Sequence, residues 1–292
     1  MKSHGEGDSR LQTPDWRDEL RQVPAPIVSR TQVMPGVYLI WVEAPDIAAE
    51  ARPGQFVTVR CGEHLPLRRP LSIHRTDGRK LALLFAVVGQ GTKWLSVRMV
   101  GESLDLLGPL GNGFEIRQGS QKLLLIAGGI GVAPLIALAD EGVGNGLLVK
   151  FVIGAKTASK LYAPESGVWS LESGVWSLES GVSSLEAVEL IRVTDDGSAG
   201  ERGQATDFLP SLADWADQIF ACGPLPMYRR MAEMRAWPGN KSVQVLLEQV
   251  MGCGVGACRG CAVVTNKGIK LVCEEGPVFE LGEIVWDKSF KF

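Results

Sequence analysis

Histidine is scarce in this 292-residue chain: His4, His64 and His74 are all there is, and no two stand at a metal-ligand spacing. No Ser-His-Asp arrangement or pair of neighbouring catalytic carboxylates is recognisable either, so hydrolysis has no group to rest on. Charge of one sign is missing too. The 30 Lys and Arg against 33 Asp and Glu leave a formal net charge of −3, no electrostatic footprint for nucleic acid or an anionic membrane. The longest apolar run unbroken by Gly or Pro, Leu81 to Val88, has eight residues, against ~20 for a bilayer span. The first twenty residues are polar and lack the apolar core of a signal peptide. Residues 1–21 are therefore expected to be a disordered extension, and the cytoplasm is the expected compartment. A hydrophobic share of 45% with 22% charged residues describes a soluble globular chain, long enough for two domains and a small third module.

Cysteine is not abundant, but its placement is informative. Of six, four fall between Leu247 and Phe279, as Cys253-x4-Cys258-x2-Cys261 and, after eleven further residues, Cys273. This is the spacing by which a glycine-rich loop and a nearby strand surround a plant-type [2Fe–2S] core. Gly252, Gly254, Gly256 and Gly260 would let the loop take positive φ and bring its N–H groups to the sulfurs. Zinc is the alternative, but it usually pairs ligands as C-x2-C twice, and one such pair exists here. Disulfides fit less well in a chain without an export signal. Cys61 and Cys222 read as small buried hydrophobes.

Between about residues 23 and 116 the chain reads as β-rich. Residues 36–42 and 54–60 alternate as half-buried strands do, and residues 81–88 supply another strand. Pro and Gly clusters break these runs at short intervals, the pattern of a small antiparallel barrel or sandwich. Residues 89–92 open an expected helix over 93–99, with Thr92 placed to cap it, and the turn-rich residues 107–114 close the unit. From Lys122 to Ala127 the apolar residues run on without alternation, as in a parallel strand buried on both faces. A glycine turn over 128–134 and an apolar helix from Leu135 follow. Residues 146–153, 188–193 and 218–221 read as further strands, and 226–236 as helix. Alternation of this kind predicts a doubly wound α/β unit. The expected layout is a β-barrel over 22–118, an α/β domain over 119–238 and a cysteine module over 239–292.

One segment fits neither pattern. Residues 166–172, Ser-Gly-Val-Trp-Ser-Leu-Glu, recur as 173–179 and, with Ser183 in place of Trp, as 180–186. Three short copies do not make a solenoid, and a Gly in every copy costs a coiled-coil helix about 1 kcal/mol each. The expectation is a duplicated surface segment lying across the helix or loop before the Val188 strand. Trp169 and Trp176 would then be free to pack onto the domain or a partner.

Several motifs carry chemistry. Arg69-Pro70-Leu71-Ser72 offers a permanent cation for a pyrophosphate and a hydroxyl for a flavin ring nitrogen, with Gly91-Thr92 adding a helix N-terminus. By itself this is a common kind of turn. Gly128-Gly129-Ile130-Gly131-Val132-Ala133-Pro134 departs from G-x-G-x-x-G, yet it likewise joins a strand to a helix whose positive end faces a ligand. Cys222-Gly223-Pro224 repeats the arrangement after another strand, so two glycine turns frame a dinucleotide crevice at one sheet edge. Asp195 and Asp196 follow the Val188 strand. They read either as a turn or as a carboxylate on an adenosine ribose, where it would favour NAD over NADP; Asp196 is the residue expected in that role.

Taken together, RPLS, GQGT, GPLGNGF, GGIGVAP, TDDGS, ACGPLPM and CGVGACRGC…CEEGPVF resemble the ferredoxin–NADP reductase superfamily over about residues 22 to 287. Within it they resemble the electron-transfer subunits of NAD-dependent bacterial dihydroorotate dehydrogenases, which carry a C-terminal cluster module. The resemblance implies an FAD-binding barrel, with FAD held by Arg69, Pro70, Leu71 and Ser72 and completed by Leu84, Phe85, Ala86, Gly91 and Thr92. It implies a [2Fe–2S] cluster on Cys253, Cys258, Cys261 and Cys273, and NAD(H) over residues 128–134 and 222–224. It further implies a partner, an FMN-containing catalytic subunit that oxidises dihydroorotate, in a heterotetramer of two plus two. Electrons would pass from FMN through the cluster to FAD and on to NAD⁺ as hydride, serving pyrimidine biosynthesis, with no side chain acting as catalytic acid or base. The heptad repeats are not part of that pattern. An NAD(P)H–ferredoxin oxidoreductase subunit (sulfide-dehydrogenase-like or bifurcating) and a flavin and iron–sulfur redox sensor are the alternatives.

Overall fold

A computed structural model describes residues 20–163, 169–172, 175–178, 188–234 and 241–286, the strands at 169–172 and 175–178 by backbone alone. Most of the expected N-terminal extension lies outside the described residues.

Six antiparallel strands close a barrel in the order β1-β2-β5-β4-β3-β6. They are β1 (Arg21–Met34), β2 (Val37–Glu43), β3 (Phe56–Val59), β4 (Arg69–Asp77), β5 (Lys80–Ala86) and β6 (Ser103–Leu110), with α1 (Pro45–Glu50) and α2 (Gln90–Ser96) between them. β1 is long because it changes partners: residues 21–26 pair with β6 and residues from Ile27 onward with β2. Pro24 and Pro26 fall where β1 has a neighbour on one side only, so no second ladder is lost. The expected helix over 93–99 starts earlier, at Gln90, and ends at Ser96. Thr92 is not its N-cap. It sits in the first turn, where its Oγ1 reaches back to accept from Val88 N (2.9 Å) and Gly89 N (3.1 Å).

The second sheet runs β17-β14-β13-β7-β8-β11-β10-β9. Its members are β7 (Lys122–Gly128), β8 (Leu148–Ala155), β9 (Trp169–Glu172), β10 (Val175–Leu178), β11 (Val188–Thr194), β13 (Gln218–Cys222), β14 (Val243–Leu246) and β17 (Val278–Glu280), while the short β12 (Glu201–Arg202) pairs with β11. β14, β13, β7, β8 and β11 are mutually parallel. α3 (Val132–Gly144), α4 (Leu209–Leu212) and α5 (Leu225–Glu233) connect them. Residues 123–127 are fully buried, as a central parallel strand demands. The chain leaves β7 toward β8 and β11, then returns to β13 on the other side of β7, so strand order reverses between β7 and β13. β15 (Ala262–Thr265) and β16 (Gly268–Leu271) form a separate hairpin in the cysteine module.

The repeat segment departs from its expectation. Instead of lying across a helix or loop before β11, its first two copies supply β9 and β10, an antiparallel pair in which Val175 and Trp176 stand opposite Glu189 and Val188 of β11. The physical reason is composition: Val-Trp-Ser-Leu favours strand, and Gly174 falls between the strands rather than inside one. The third copy, and the packing of Trp169 and Trp176, lie outside what is described. Among the described residues no helix is long and apolar enough to cross a membrane.

The two sheets are joined by buried polar contacts. His74 of β4 donates from Nδ1 to Ala133 O of α3 (2.9 Å), leaving Nε2 to accept from Tyr162 Oη (3.2 Å). Next to it, Arg75 pairs with Asp140 at 2.6 Å. Burial, reinforced by the Arg75 charge, brings the His74 pKa down from 6.5 to about 3. A base with a depressed folded pKa is protonated first in the unfolded chain, so the native state is favoured above 6.5 and loses ground as pH falls toward 3. Denaturant titrations should show a stability loss from this site approaching 1.4 kcal/mol per pH unit in that window. His74→Gln should flatten the slope by one proton. An unchanged slope would mean that His74 is not buried neutral.

Candidate redox site

A cavity of about 410 Å³ opens between barrel and second sheet. Arg69, Pro70, Leu71 and Ser72 enter it from β4, and Leu84, Phe85 and Ala86 from β5. Thr92 lines it from α2, and Ile130, Ala133 and Pro134 close it from the other sheet. Gly91 does not line the space but explains how it forms. A Cβ there would stand 2.6 Å from Arg69 Nε, so only glycine lets the guanidinium lie across the start of α2. The arginine, the free end of that helix and Ser72 fit a group with a pyrophosphate and a polar ring edge.

A second cavity, of about 600 Å³, sits at the carboxyl ends of the parallel strands where strand order reverses, the usual place for a nucleotide. Gly128, Gly129 and Gly131 wall it from β7, and Gly223 and Pro224 from β13. Most of these glycines serve the approach of the two turns to each other. A Cβ on Gly131 would lie 2.1 Å from Cys222 O, and one on Gly128 2.7 Å from Pro224 Cδ. Gly129, at φ +58°, is the one with open space before it. Pro134, expected in this site, instead lines the barrel cavity. Cys222 is buried beneath its turn, and Tyr228 ties that turn down by accepting from Gly223 N (2.9 Å) and donating to Leu246 O (2.5 Å).

Of the two aspartates, Asp195 lines the cavity. Asp196 turns back on its own loop, accepting from Ser198 N (3.0 Å) and Ser198 Oγ (2.6 Å), and these bonds hold its carboxyl below the usual range. The turn reading thus applies to Asp196, and Asp195 is the aspartate that faces the cavity.

Glu248 was not anticipated from the sequence. It lines both cavities, standing where they meet. Its side chain is exposed to the cavities, and the protein packed around it still raises its carboxyl pKa by desolvation. A lone acid in the apolar run 243–251 was the available signal. Lys156, Gln204 and Thr206 of the nucleotide cavity carried none.

The cysteine loop begins where the barrel cavity ends, at Val250 and Met251. Every one of the four expected thiols receives a backbone N–H. Val255 N and Cys258 N reach Cys253 Sγ (3.4 and 3.3 Å), Gly260 N reaches Cys258 Sγ (3.4 Å), Cys273 N reaches Cys261 Sγ (3.4 Å) and Gly256 N reaches Cys273 Sγ (3.1 Å). Burial pushes against ionisation at Cys253, but these donors outweigh it and bring its thiol down to about 7. At Cys273, burial and the neighbouring Cys261 push the thiol up to about 12. Cys261 and Cys273 are buried with sulfurs 3.2 Å apart, while Cys258 is exposed. Among the described residues no three His, Cys, Asp or Glu converge on one point. Of the four glycines, Gly254 (φ +79°) and Gly256 (φ +78°) have the expected left-handed backbone. Gly252 and Gly260 do not; they bring the chain close to Cys258 Sγ, which a Cβ would meet at 3.2 and 3.5 Å.

The module is anchored on the barrel by a contact between two motifs. Asn112 of the 107–114 turn donates from N to Gly276 O (2.5 Å) and from Nδ2 to Glu275 O (2.9 Å). Val278–Glu280 then pairs with β14 and joins the main sheet.

A family model described as the iron–sulfur cluster binding domain of dihydroorotate dehydrogenase B matches residues 248–285. Over 273 residues the chain is 38% identical to the dihydroorotate dehydrogenase B (NAD(+)) electron transfer subunit of Desulforamulus reducens, covering 90% of this chain and 98% of that one. The chain belongs to this family of electron transfer subunits. The member from Clostridium acetobutylicum is 36% identical, with 89% of this chain and 95% of that one covered. Among solved structures, one of an NADH-dependent reduced ferredoxin–NADP oxidoreductase, described in terms of flavin-based electron bifurcation, aligns at 30% identity and a TM-score of 0.75, covering 91% of each chain. Phthalate dioxygenase reductase, at 15% identity and a TM-score of 0.54 over 76% of this chain and 66% of that one, shares the fold.

Proposed function

We propose that this subunit relays electrons between NAD(H), bound at the 600 Å³ cavity, and an FMN-bearing dihydroorotate dehydrogenase subunit docked near the cysteine module. Contiguity carries the reading: Glu248 lines both cavities, Val250 and Met251 line the barrel cavity, and Cys253 follows two residues later. In this assignment the barrel unit (22–118) carries FAD, the α/β unit (119–238) NAD(H) and the module (239–292) a [2Fe–2S] cluster. The assembly is two such chains with two catalytic subunits in the cytoplasm.

Arg69 and the start of α2 would hold the FAD pyrophosphate, and Leu84, Phe85 and Ala86 would flank its ring. FAD supplies the one conversion needed, since nicotinamide exchanges electrons in pairs and an iron–sulfur cluster singly. Glu248 would stand between the two bound groups, with desolvation making its carboxyl less acidic than a free one. Ile130 lines both cavities, and Ala133 and Pro134 add apolar wall to the barrel cavity. The N–H donors around Cys253 favour its thiolate, the form that binds iron.

The test is anaerobic reconstitution with FAD, iron and sulfide. NADH should bleach the flavin within seconds, and adding an FMN-bearing dihydroorotate dehydrogenase subunit should give dihydroorotate-dependent NAD⁺ reduction. The 30% identity to a ferredoxin-dependent relative supports a second reading, in which ferredoxin exchanges electrons with this chain. Turnover with ferredoxin and none with dihydroorotate would favour it, and no flavin bleaching at all would leave a sensor.

Coenzyme choice rests on Asp195. Its carboxylate would repel a 2′-phosphate, although Lys156 stands in the same cavity. Asp195→Asn should narrow the NAD over NADP preference in kcat/KM by about tenfold, and Asp196→Asn should not. Equal effects would return the role to the loop as a whole.

A further inference from the structure

The barrel face under the cysteine loop carries a hydroxyl with nothing to bond. Along β3, Val57 and Val59 pack into the barrel core, while Phe56 faces the other core cluster and Thr58 shares its side of the strand. Thr58 is 2% exposed, and its Oγ1 is the buried side-chain oxygen or nitrogen that finds no hydrogen-bond partner among the described residues. The strand neighbours opposite it are Pro70 and Leu107, whose side chains offer nothing. What it does meet is the cluster loop. A Cβ on Gly254, the residue after Cys253, would stand 2.9 Å from Thr58 Cγ2. Methyl and hydroxyl share one Cβ, so a turn of about 120° in χ1 brings the hydroxyl to the position the methyl now holds against that loop, while the methyl moves to the place of the Cβ hydrogen. A buried hydroxyl left unpaired is costly, and native interiors rarely keep one without a reason.

We propose that Thr58 Oγ1 donates a hydrogen bond to a sulfur on the barrel side of the iron–sulfur group, the Cys253 thiolate or an inorganic sulfide beside it. The proposal rests on the cluster reading above. Thr58 is then a positioning and tuning residue for electron transfer, on the strand that also sends Phe56 to the wall of the barrel cavity. A donor to sulfur stabilises the reduced cluster, which carries the extra negative charge, and so raises its reduction potential.

The experiment is a redox titration of the full chain, reconstituted with iron and sulfide and assembled with its catalytic subunit, with the EPR signal of the reduced cluster as readout. Thr58→Val keeps the shape and removes the donor, and Thr58→Ser keeps the donor. The Val variant should hold its cluster but shift its reduction equilibrium toward the oxidised form by about threefold to tenfold at fixed ambient potential. The Ser variant should stay with the parent. Should Val prevent loading, Thr58→Ala against Thr58→Ser isolates the hydroxyl and should show the same shift. A loaded Val variant with the parent's potential, or Val and Ser shifted alike, would overturn the proposal and leave the cluster reading intact. No EPR signal in the reconstituted parent would remove the cluster reading, and this proposal with it.

Discussion

Serine in place of Cys258 is expected to cut dihydroorotate-dependent NAD⁺ reduction by about 100-fold or more, while NADH still bleaches the flavin within about twofold of the parent rate. The split follows from where Cys258 stands. It is the exposed member of the four, on the outer side of the loop, and neither cavity is lined by any residue between Met251 and Pro277. Its sulfur is held by Gly260 N at 3.4 Å, and Gly252 passes close enough that a Cβ there would meet it at 3.2 Å. A shorter, harder oxygen at that position sits badly in a site built for soft thiolate. Cys261→Ser would be a poorer test, because Cys261 is buried beside Cys273 and the change would strain the module itself. Stopped-flow reduction by NADH and steady-state turnover with the catalytic subunit separate the two steps. Coupled turnover preserved in a Cys258→Ser variant would remove the cysteine loop from the electron path.

The parts legible in the sequence were those whose chemistry fixes spacing along the chain. Four cysteines on one loop and its following strand announced themselves, because iron ligation demands thiolates at short, set intervals. The two glycine turns were legible as turns, but their purpose was not. Gly131 and Gly128 are required by the approach of one turn to the other, a contact between segments some ninety residues apart in the chain. The same limit hid His74, Thr58 and Glu248. Each looks ordinary in its own stretch of chain and acquires meaning only from what the fold sets opposite it: α3, the cluster loop, and the junction of two cavities. The choice between Asp195 and Asp196 depended on where β11 ends, since a single residue decides which carboxylate faces the crevice and which closes the turn. The repeats were read as a surface segment because their period of seven names no strand, whereas their Val-Trp-Ser-Leu core suits paired edge strands. Docking of the 107–114 turn onto Glu275 and Gly276 united two motifs that had been read as separate.

Adding one methyl group at Gly131 should damage the molecule more than the same addition two residues earlier. At Gly131 the backbone is ordinary, with φ −58° and ψ −9°, so Ala meets no conformational penalty there. The obstacle is contact. A Cβ would lie 2.1 Å from Cys222 O, 2.4 Å from its carbonyl carbon and 2.8 Å from Gly223 N, all main-chain atoms of the turn after β13. That turn cannot retreat easily, because Tyr228 holds Gly223 N on one side and Leu246 O on the other. Relief requires the two walls of the nucleotide cavity to part, at a cost of about 3 kcal/mol or somewhat more. Gly129 offers the reverse case: open space before it, but φ +58°, for which Ala costs about 1 kcal/mol. Gly131→Ala should therefore lower the denaturation midpoint clearly and raise the KM for NADH at least about tenfold. Gly129→Ala should do little to either. Far-UV circular dichroism of both variants tells a local parting of the turns from general unfolding. Equal behaviour of the two variants would mean that the turns do not press together as described, and the crevice between β7 and β13 would lose its claim to the nucleotide.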